Sequence, residues 1–234
     1  MSEPQSPTGL VPSCLIIADG SIATLAAVWR EAVCRPGGGG GVGNAKPSLW
    51  APSNLAPHAA AANARFVKLA GLPSIVTGPL PATTAGLSAS LMLLAAGEDA
   101  AKRGIGRVVW PVQFAASDDA TRLTQVGGAF DRALLAARLL SIDTRQTGGQ
   151  SVLIHTPFAE LNDNQLLDLA ADMDAPVGAA WWCEKQADAQ QPPCGGCAPC
   201  LRWLSAMRHA GIAGPIAHLP SALLEDKPAV KTAV

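Results

Sequence analysis

The sequence predicts an α/β fold: a mostly parallel, doubly wound sheet followed by a small C-terminal zinc knuckle. Three observations carry this. Short apolar runs alternate with helix-patterned segments along most of the chain, the order produced by a parallel sheet covered on both faces. The first such run, 10–17, ends in the turn Ala18-Asp19-Gly20-Ser21 and passes directly into a segment of helical composition, 22–32. Near the other end, Cys183, Cys194, Cys197 and Cys200 are spaced C-x10-C-x2-C-x2-C within WWCEKQADAQQPPCGGCAPCLRW.

The elements follow in order. Residues 1–10 are polar and contain proline, so a disordered arm is expected. After the first strand, turn and helix comes 34–47, CRPGGGGGVGNAKP, whose five consecutive glycines lose much conformational freedom on ordering. It reads as a flexible surface loop. A phosphate cradle is the competing reading, but the run lacks a GKS or GKT ending and a clear place between strand and helix. Residues 58–69 read as a helix stopped by Gly71, and 73–77 as a short strand. The Ala-, Leu-, Ser- and Met-rich segment 84–103, ending at Gly104, predicts a buried helix, and 108–114 the next strand. A helix is expected over 124–141, with Phe130, Leu134, Leu135 and Leu139 on its apolar side. A strand over 151–155 and an amphipathic helix over 160–173 complete the alternation. Ligands of such sheets bind beyond the carboxyl ends of the strands. The organisation expected is one α/β domain over 11–180, a metal-binding region over 181–220 and a tail over 221–234.

The cysteine cluster is the strongest chemical signal. Two cysteines separated by two residues can place both sulfurs about 2.3 Å from one ion across a tight turn, and four thiolates complete a tetrahedral shell. Pro192, Pro193, Gly195, Gly196 and Pro199 supply the turn chemistry. The site would be closed and structural, coupling metal binding to the folding of a loop poor in apolar residues. A pair of disulfides and an iron–sulfur cluster are the alternatives; the spacing favours zinc. Trp181 and Trp182 are expected to pack around the knuckle, with one ring able to stack on a purine-like ligand. Arg202 and Arg208 read as a solvated helix face, Arg202 with the option of bonding a thiolate or the knuckle backbone. Cys14, in an apolar run, reads as a buried small hydrophobe, and Cys34 as the end of a helix. His155 at a strand end reads as an ordinary edge histidine; His58, His209 and His218 form no metal motif with one another.

Bulk composition narrows the classes. The chain has 234 residues, 49% of them hydrophobic, enough for one substantial core with a small appendage. With 17 basic and 18 acidic residues the net charge is −1, and no dense basic run exists, which argues against stable nucleic-acid binding. The longest apolar runs are too short to span a bilayer. Six cysteines, four of them grouped as ligands, with no signal peptide, point to a reducing cytoplasm. A homo-oligomer is left open.

The segment IHTPFAELNDNQLLDLAADMDAPVGAAWWC, 154–183, resembles the strand, Thr-Pro turn, helix and tryptophan-bearing approach to the first zinc cysteine of the 7-cyano-7-deazaguanine synthases, of the ATP pyrophosphatase superfamily. The cysteines follow at that family's spacing, with Arg202 after the last. More loosely, Pro57-His58 and the Ala-rich helix after it, the turn Pro81-Ala82-Thr83-Thr84 and the segment 113–119 fall where the family has a post-strand helix, a Pro-Gly-Arg-Asn turn and an acidic substrate loop. The resemblance implies an adenine-nucleotide alpha-hydrolase-like fold and use of ATP, magnesium and zinc. It further implies conversion of 7-carboxy-7-deazaguanine to 7-cyano-7-deazaguanine in queuosine biosynthesis, through an adenylate, an amide and dehydration to the nitrile. A loop of the form SGGxDS would hold the ATP phosphates, its backbone N–H groups at a helix N-terminus binding phosphate oxygens.

The chain departs from the family at that loop. Aligned by strand and helix, SGGxDS falls on Ala18-Asp19-Gly20-Ser21-Ile22-Ala23, so only Gly20 is retained. Asp19 puts a carboxylate where a polyanion should sit, a contact unfavourable by about 1 to 4 kcal/mol at dielectrics between water and a protein surface. Thr83-Thr84 stands in place of Arg-Asn, and the acidic loop has become AASDDATRL. The candidate site residues are therefore Gly20, Ser21 and Thr24 at the phosphate turn, Asp118 and Asp119 as acidic metal or substrate contacts, and the four cysteines as zinc ligands. Two functions compete: an ATP-dependent carbon–nitrogen ligase with weakened or lost catalysis, and a non-catalytic zinc-stabilised binding or assembly protein. A third is an enzyme with a changed, deazapurine-like substrate.

Overall fold

The computed structural model describes residues 13–34, 45–80, 88–114, 119–147, 150–185 and 193–212. The expected N-terminal arm, most of the glycine-rich loop, the Pro81–Thr84 turn, Asp118, His218 and the tail lie outside them.

Five strands form one all-parallel sheet: β1 (Leu15–Ile17), β2 (Ser48–Pro52), β3 (Ile75–Gly78), β4 (Arg107–Val109) and β5 (Leu153–His155). Their spatial order is β3-β2-β1-β4-β5, with Ile16 of β1 opposite both Leu49 and Val109. Among the described residues six α-helices connect and follow them: α1 (Ile22–Ala32), α2 (Pro57–Ala70), α3 (Ser88–Lys102), α4 (Asp119–Thr147), α5 (Asp163–Asp172) and α6 (Ala198–His209). Strand residues alternate between two cores. Cys14, Ile16, Leu49 and Val109 pack with α1, α2, α5 and α6, while Leu15, Ile17, Trp50 and Val108 pack with α3 and α4. Helices on both faces of a parallel sheet make the fold doubly wound, as expected. The chain leaves β1 toward β2 on one side and meets β4 on the other, so the switch point of the sheet lies at the carboxyl ends of β1 and β4.

Local chemistry sets the boundaries. Ser21 caps α1, its Oγ accepting from the Thr24 N–H at 3.2 Å. Gly71, at φ 60°, ends α2 in the left-handed conformation that glycine adopts freely. Helix α5 begins at Asp163, three residues later than expected, because Asn162 and Gln165 form a capping box. Strand β4 ends at Val109 instead of continuing to 114. After Trp110 donates to the His155 carbonyl at 2.8 Å, Pro111 has no N–H to offer the ladder.

The reading of the long helix before β5 is corrected. Phe130, Leu134, Leu135 and Leu139 do not face the core; they are 43–57% exposed. The buried side of α4 is Val126, Ala129, Ala133, Ala136 and Leu140. Small residues let α4 lie close to α3, where a side chain on Gly97 would meet Leu140 Cδ1 at 2.1 Å. Cys14 is fully buried and Cys34 follows the end of α1, its N–H on the Trp29 carbonyl at 3.0 Å, both as expected.

Candidate functional site

A cleft of about 320 Å³ opens at the switch point. Its floor comes from the ends of β1 and β4, through Ile17, Asp19, Ser21, Ala23 and Trp110 to Gln113. Its far wall is Trp181, Trp182 and Glu184, with Arg202 and Trp203 of α6. Four indoles therefore line one small cavity. The Trp182 Nε1–H is buried without a hydrogen-bond partner among the described residues. Trp110 and Trp203 were not singled out from sequence. Trp110 ends what reads as an ordinary strand and Trp203 follows the last cysteine, and nothing local says that they converge.

Gly20 ties the cleft together. Its φ is 82°, and a Cβ there would stand 2.8 Å from both Cα and O of Ala59. Its carbonyl accepts from the Trp181 N–H at 2.8 Å, joining the β1–α1 turn to the chain that enters the knuckle. The Trp181 ring stacks on His58 with centroids 4.7 Å apart, and its Nε1 donates to the Cys183 carbonyl at 2.9 Å. His58 thus has a partner that its sequence neighbours do not reveal.

At the start of α1, Asp19, Ser21 and Thr24 commit donors to one another. Asp19 Oδ1 accepts from the Ser21 N–H at 3.0 Å and from the Thr24 hydroxyl at 2.7 Å, while the Asp19 N–H donates to Thr24 Oγ1 at 3.3 Å. A side-chain carboxylate bonds the turn that would otherwise present free N–H groups to an anion. Burial also moves the motif register by one residue. Ile22 is fully buried in the core, whereas Ala23 lines the cleft. The open position x of SGGxDS suits the buried Ile22, and a motif of that form would then lie over Asp19-Gly20-Ser21-Ile22-Ala23-Thr24. In this register Asp19 replaces the first serine, Ala23 replaces the acidic residue, and Thr24 keeps a hydroxyl at the last position.

Among the described residues Arg202 pairs with a carboxylate and not with the knuckle. Its Nε lies 2.7 Å from Asp163 Oδ2, a close ion pair without the alignment of a hydrogen bond. The other Asp163 oxygen accepts from Gln113 Nε2 at 2.8 Å. Asp163, in the first turn of α5, thereby holds two cleft-lining side chains. Asp119 begins α4 and is exposed; it is not among the residues lining the cleft. His155 lines a separate groove with Arg30, Glu31 and Arg107, where Arg107 grips the buried Glu31 carboxylate with both guanidinium arms. His209 lies in the last turn of α6.

Behind the tryptophan wall the four cysteines come together. Their Sγ atoms all lie within 4.8 Å of one another, and those of Cys194 and Cys200 are 3.9 Å apart. Four thiolates about 2.3 Å from a tetrahedral ion are about 3.8 Å apart, so the set fits zinc with small rotations. Cys197 is the N-cap of α6 and Cys200 lies in its first turn; Cys183 arrives from the Trp181-Trp182 strand of chain. The Cys194 N–H donates to Cys183 Sγ at 3.4 Å, a backbone-to-sulfur bond of the kind that steadies a thiolate cluster. None of the six cysteines forms a disulfide. Backbone N–H donation, from Gly196 first and then Cys197, holds the Cys194 thiol down at about 6, while burial drives Cys200 the other way. A bound cation would draw all four into the thiolate form.

Fold and site together define an α/β protein of nucleotide alpha-hydrolase type carrying a tetracysteine knuckle that could hold zinc beside its switch-point cleft. Residues 129–211 match the family described as Queuosine biosynthesis protein QueC. The chain is also 30% identical over 79 residues to a 7-cyano-7-deazaguanine synthase of Methanospirillum hungatei, a match covering 34% of this chain and 34% of that relative. The matched segment holds α5, the tryptophan wall, the knuckle and α6, and the match spans about a third of the length of the curated relative. Among the described residues no helix is long and apolar enough to cross a membrane.

Proposed function

We propose that this protein is a relative of the ATP-dependent ligase that makes 7-cyano-7-deazaguanine, and that it binds a planar deazapurine-like compound in its tryptophan-lined cleft while the ATP step is lost. The observation that carries the reading is Asp19, whose carboxylate takes up the Ser21 N–H and Thr24 hydroxyl at the N-terminus of α1. A triphosphate entering the same turn would meet that negative charge at about 1 to 4 kcal/mol, and would forgo roughly 1 to 3 kcal/mol for each charge-assisted hydrogen bond already used. Ala23 offers no carboxylate to a magnesium ion beside the phosphates. The cleft itself suits a ring system: apolar indole faces for stacking, with Gln113 and the Arg202–Asp163 pair as polar groups beside them. The knuckle, with zinc on Cys183, Cys194, Cys197 and Cys200, fixes the wall that carries two of the indoles. A reducing cytoplasm is the compartment in which four clustered cysteines stay available as metal ligands, and it is the location we infer.

The test is a tryptophan-fluorescence titration of the zinc-loaded protein with 7-carboxy-7-deazaguanine. Saturable quenching with Kd below about 100 μM is expected, weakened at least about tenfold by Trp182→Ala. No quenching up to about 1 mM would remove the deazapurine ligand from the account.

A further inference from the structure

We propose that Cys194 is a modification site, the point at which a hydroperoxide oxidises the cysteine knuckle, with Cys200 as the resolving thiol and loss of the bound ion as the outcome. The four sulfurs lie within 4.8 Å of one another but are not equally placed. Cys194 is exposed, whereas Cys183, Cys197 and Cys200 are buried at 2%, 4% and 0% exposure. Oxidation of a thiolate follows its access to the oxidant, so the first attack falls on Cys194. Cys200 Sγ is then 3.9 Å away. The backbone allows the closer approach that a disulfide requires. Cys200 is fixed in the first turn of α6, while Cys194 precedes Gly195, at φ 69°, and Gly196, where a Cβ would find nothing within 4 Å.

The Cys194 thiolate attacks the hydroxyl oxygen of the hydroperoxide and the O–O bond breaks; the sulfur becomes a sulfenic acid and the other oxygen leaves as hydroxide or alkoxide. The Cys200 thiolate attacks that sulfur, the S–O bond breaks, hydroxide leaves and the disulfide forms. The two thiolates together give two electrons to the peroxide. Cys183 and Cys197 remain, two ligands in place of four, too few to hold a structural ion. Cys183 ends the stretch of chain that carries Trp181 and Trp182, and Cys197 caps the helix that carries Arg202 and Trp203, so the two parts of the cleft's far wall lose their common tie. Occupancy of the cleft thereby depends on redox state, a consequence that, unlike the oxidation itself, rests on the ligand reading above.

The test treats the zinc-loaded full chain with about 1 mM hydrogen peroxide, reading released zinc with a chromogenic chelator and thiol state by alkylation and mass spectrometry. Loss of the bound zinc with a Cys194–Cys200 disulfide, a shift in intrinsic tryptophan emission, and recovery on addition of dithiothreitol and zinc are expected. Cys194→His keeps a four-ligand set suited to zinc and removes the entry sulfur, so release should slow at least about tenfold. Cys34→Ser, which removes the other exposed thiol, should leave the rate of release unchanged. Retained zinc, release with Cys194 still reduced, or Cys194 joined to a sulfur other than Cys200 overturns the proposal, and the wild-type chain alone decides it if Cys194→His fails to fold. Neither the zinc nor the mass readout uses the deazapurine, so a failed ligand titration leaves the oxidation result standing.

Discussion

At the scale of single residues, Gly20, Asp19 and Ala23 decide what the β1–α1 turn can do. Gly20 cannot gain a side chain: φ is 82° and Ala59 backbone atoms stand 2.8 Å from the Cβ position. Gly20→Ala should lose about 2 to 4 kcal/mol of stability in urea unfolding, the sum of a left-handed backbone penalty and overpacking. The neighbouring carboxylate acts differently, through charge and through the donors it occupies. Asp19→Ser with Ala23→Asp should free the turn and add an acidic group at a cleft-lining position, raising affinity for magnesium–ATP at least about tenfold by calorimetry. No gain would show that Asp19 is not what keeps the nucleotide out. Aspartate at Ile22, the position chosen by aligning strand to helix, would instead place a charge in the core. The motif letters in sequence are compatible with either register; only the burial of Ile22 separates them.

Among the elements, the knuckle and α6 form one unit with the tryptophan wall. Cys197 caps α6, Cys200 begins it, and Cys183 accepts the Cys194 N–H, so one ion would fix the helix that carries Arg202 and Trp203. Cys197→Ser should release zinc, measured by elemental analysis, and lower stability by several kcal/mol, because metal affinity and folding are coupled there. Retained zinc with an unchanged Tm would contradict this. Element limits were legible where a local device sets them: the Ser21 cap, the Gly71 stop and the cysteine spacing all act over a few residues. Strand β2 was implied only by resemblance, because SLWAP is five residues flanked by prolines and shows no clear alternation. The inward side of α4 was missed for a different reason. Its largest apolar residues face outward, and alanines face α3, so hydrophobicity pointed to the wrong side.

In the whole molecule, the sheet order places the switch point between β1 and β4, and the cleft there is lined from five separated stretches of chain. That convergence could not be read locally. Trp110 and Trp182 are more than seventy residues apart, and Asp163 reaches both Gln113 and Arg202 only because α5 packs beside α6. The overall scaffold was more accessible, since alternation of strands and helices permits few topologies. The picture is of a doubly wound α/β framework with an aromatic cleft and a cysteine knuckle, whose β1–α1 turn is occupied by its own aspartate. Calorimetric titration of magnesium–ATP into the zinc-loaded wild-type protein tests that picture most directly. No saturable heat below about 1 mM is predicted; a Kd under about 100 μM accompanied by pyrophosphate release would contradict it.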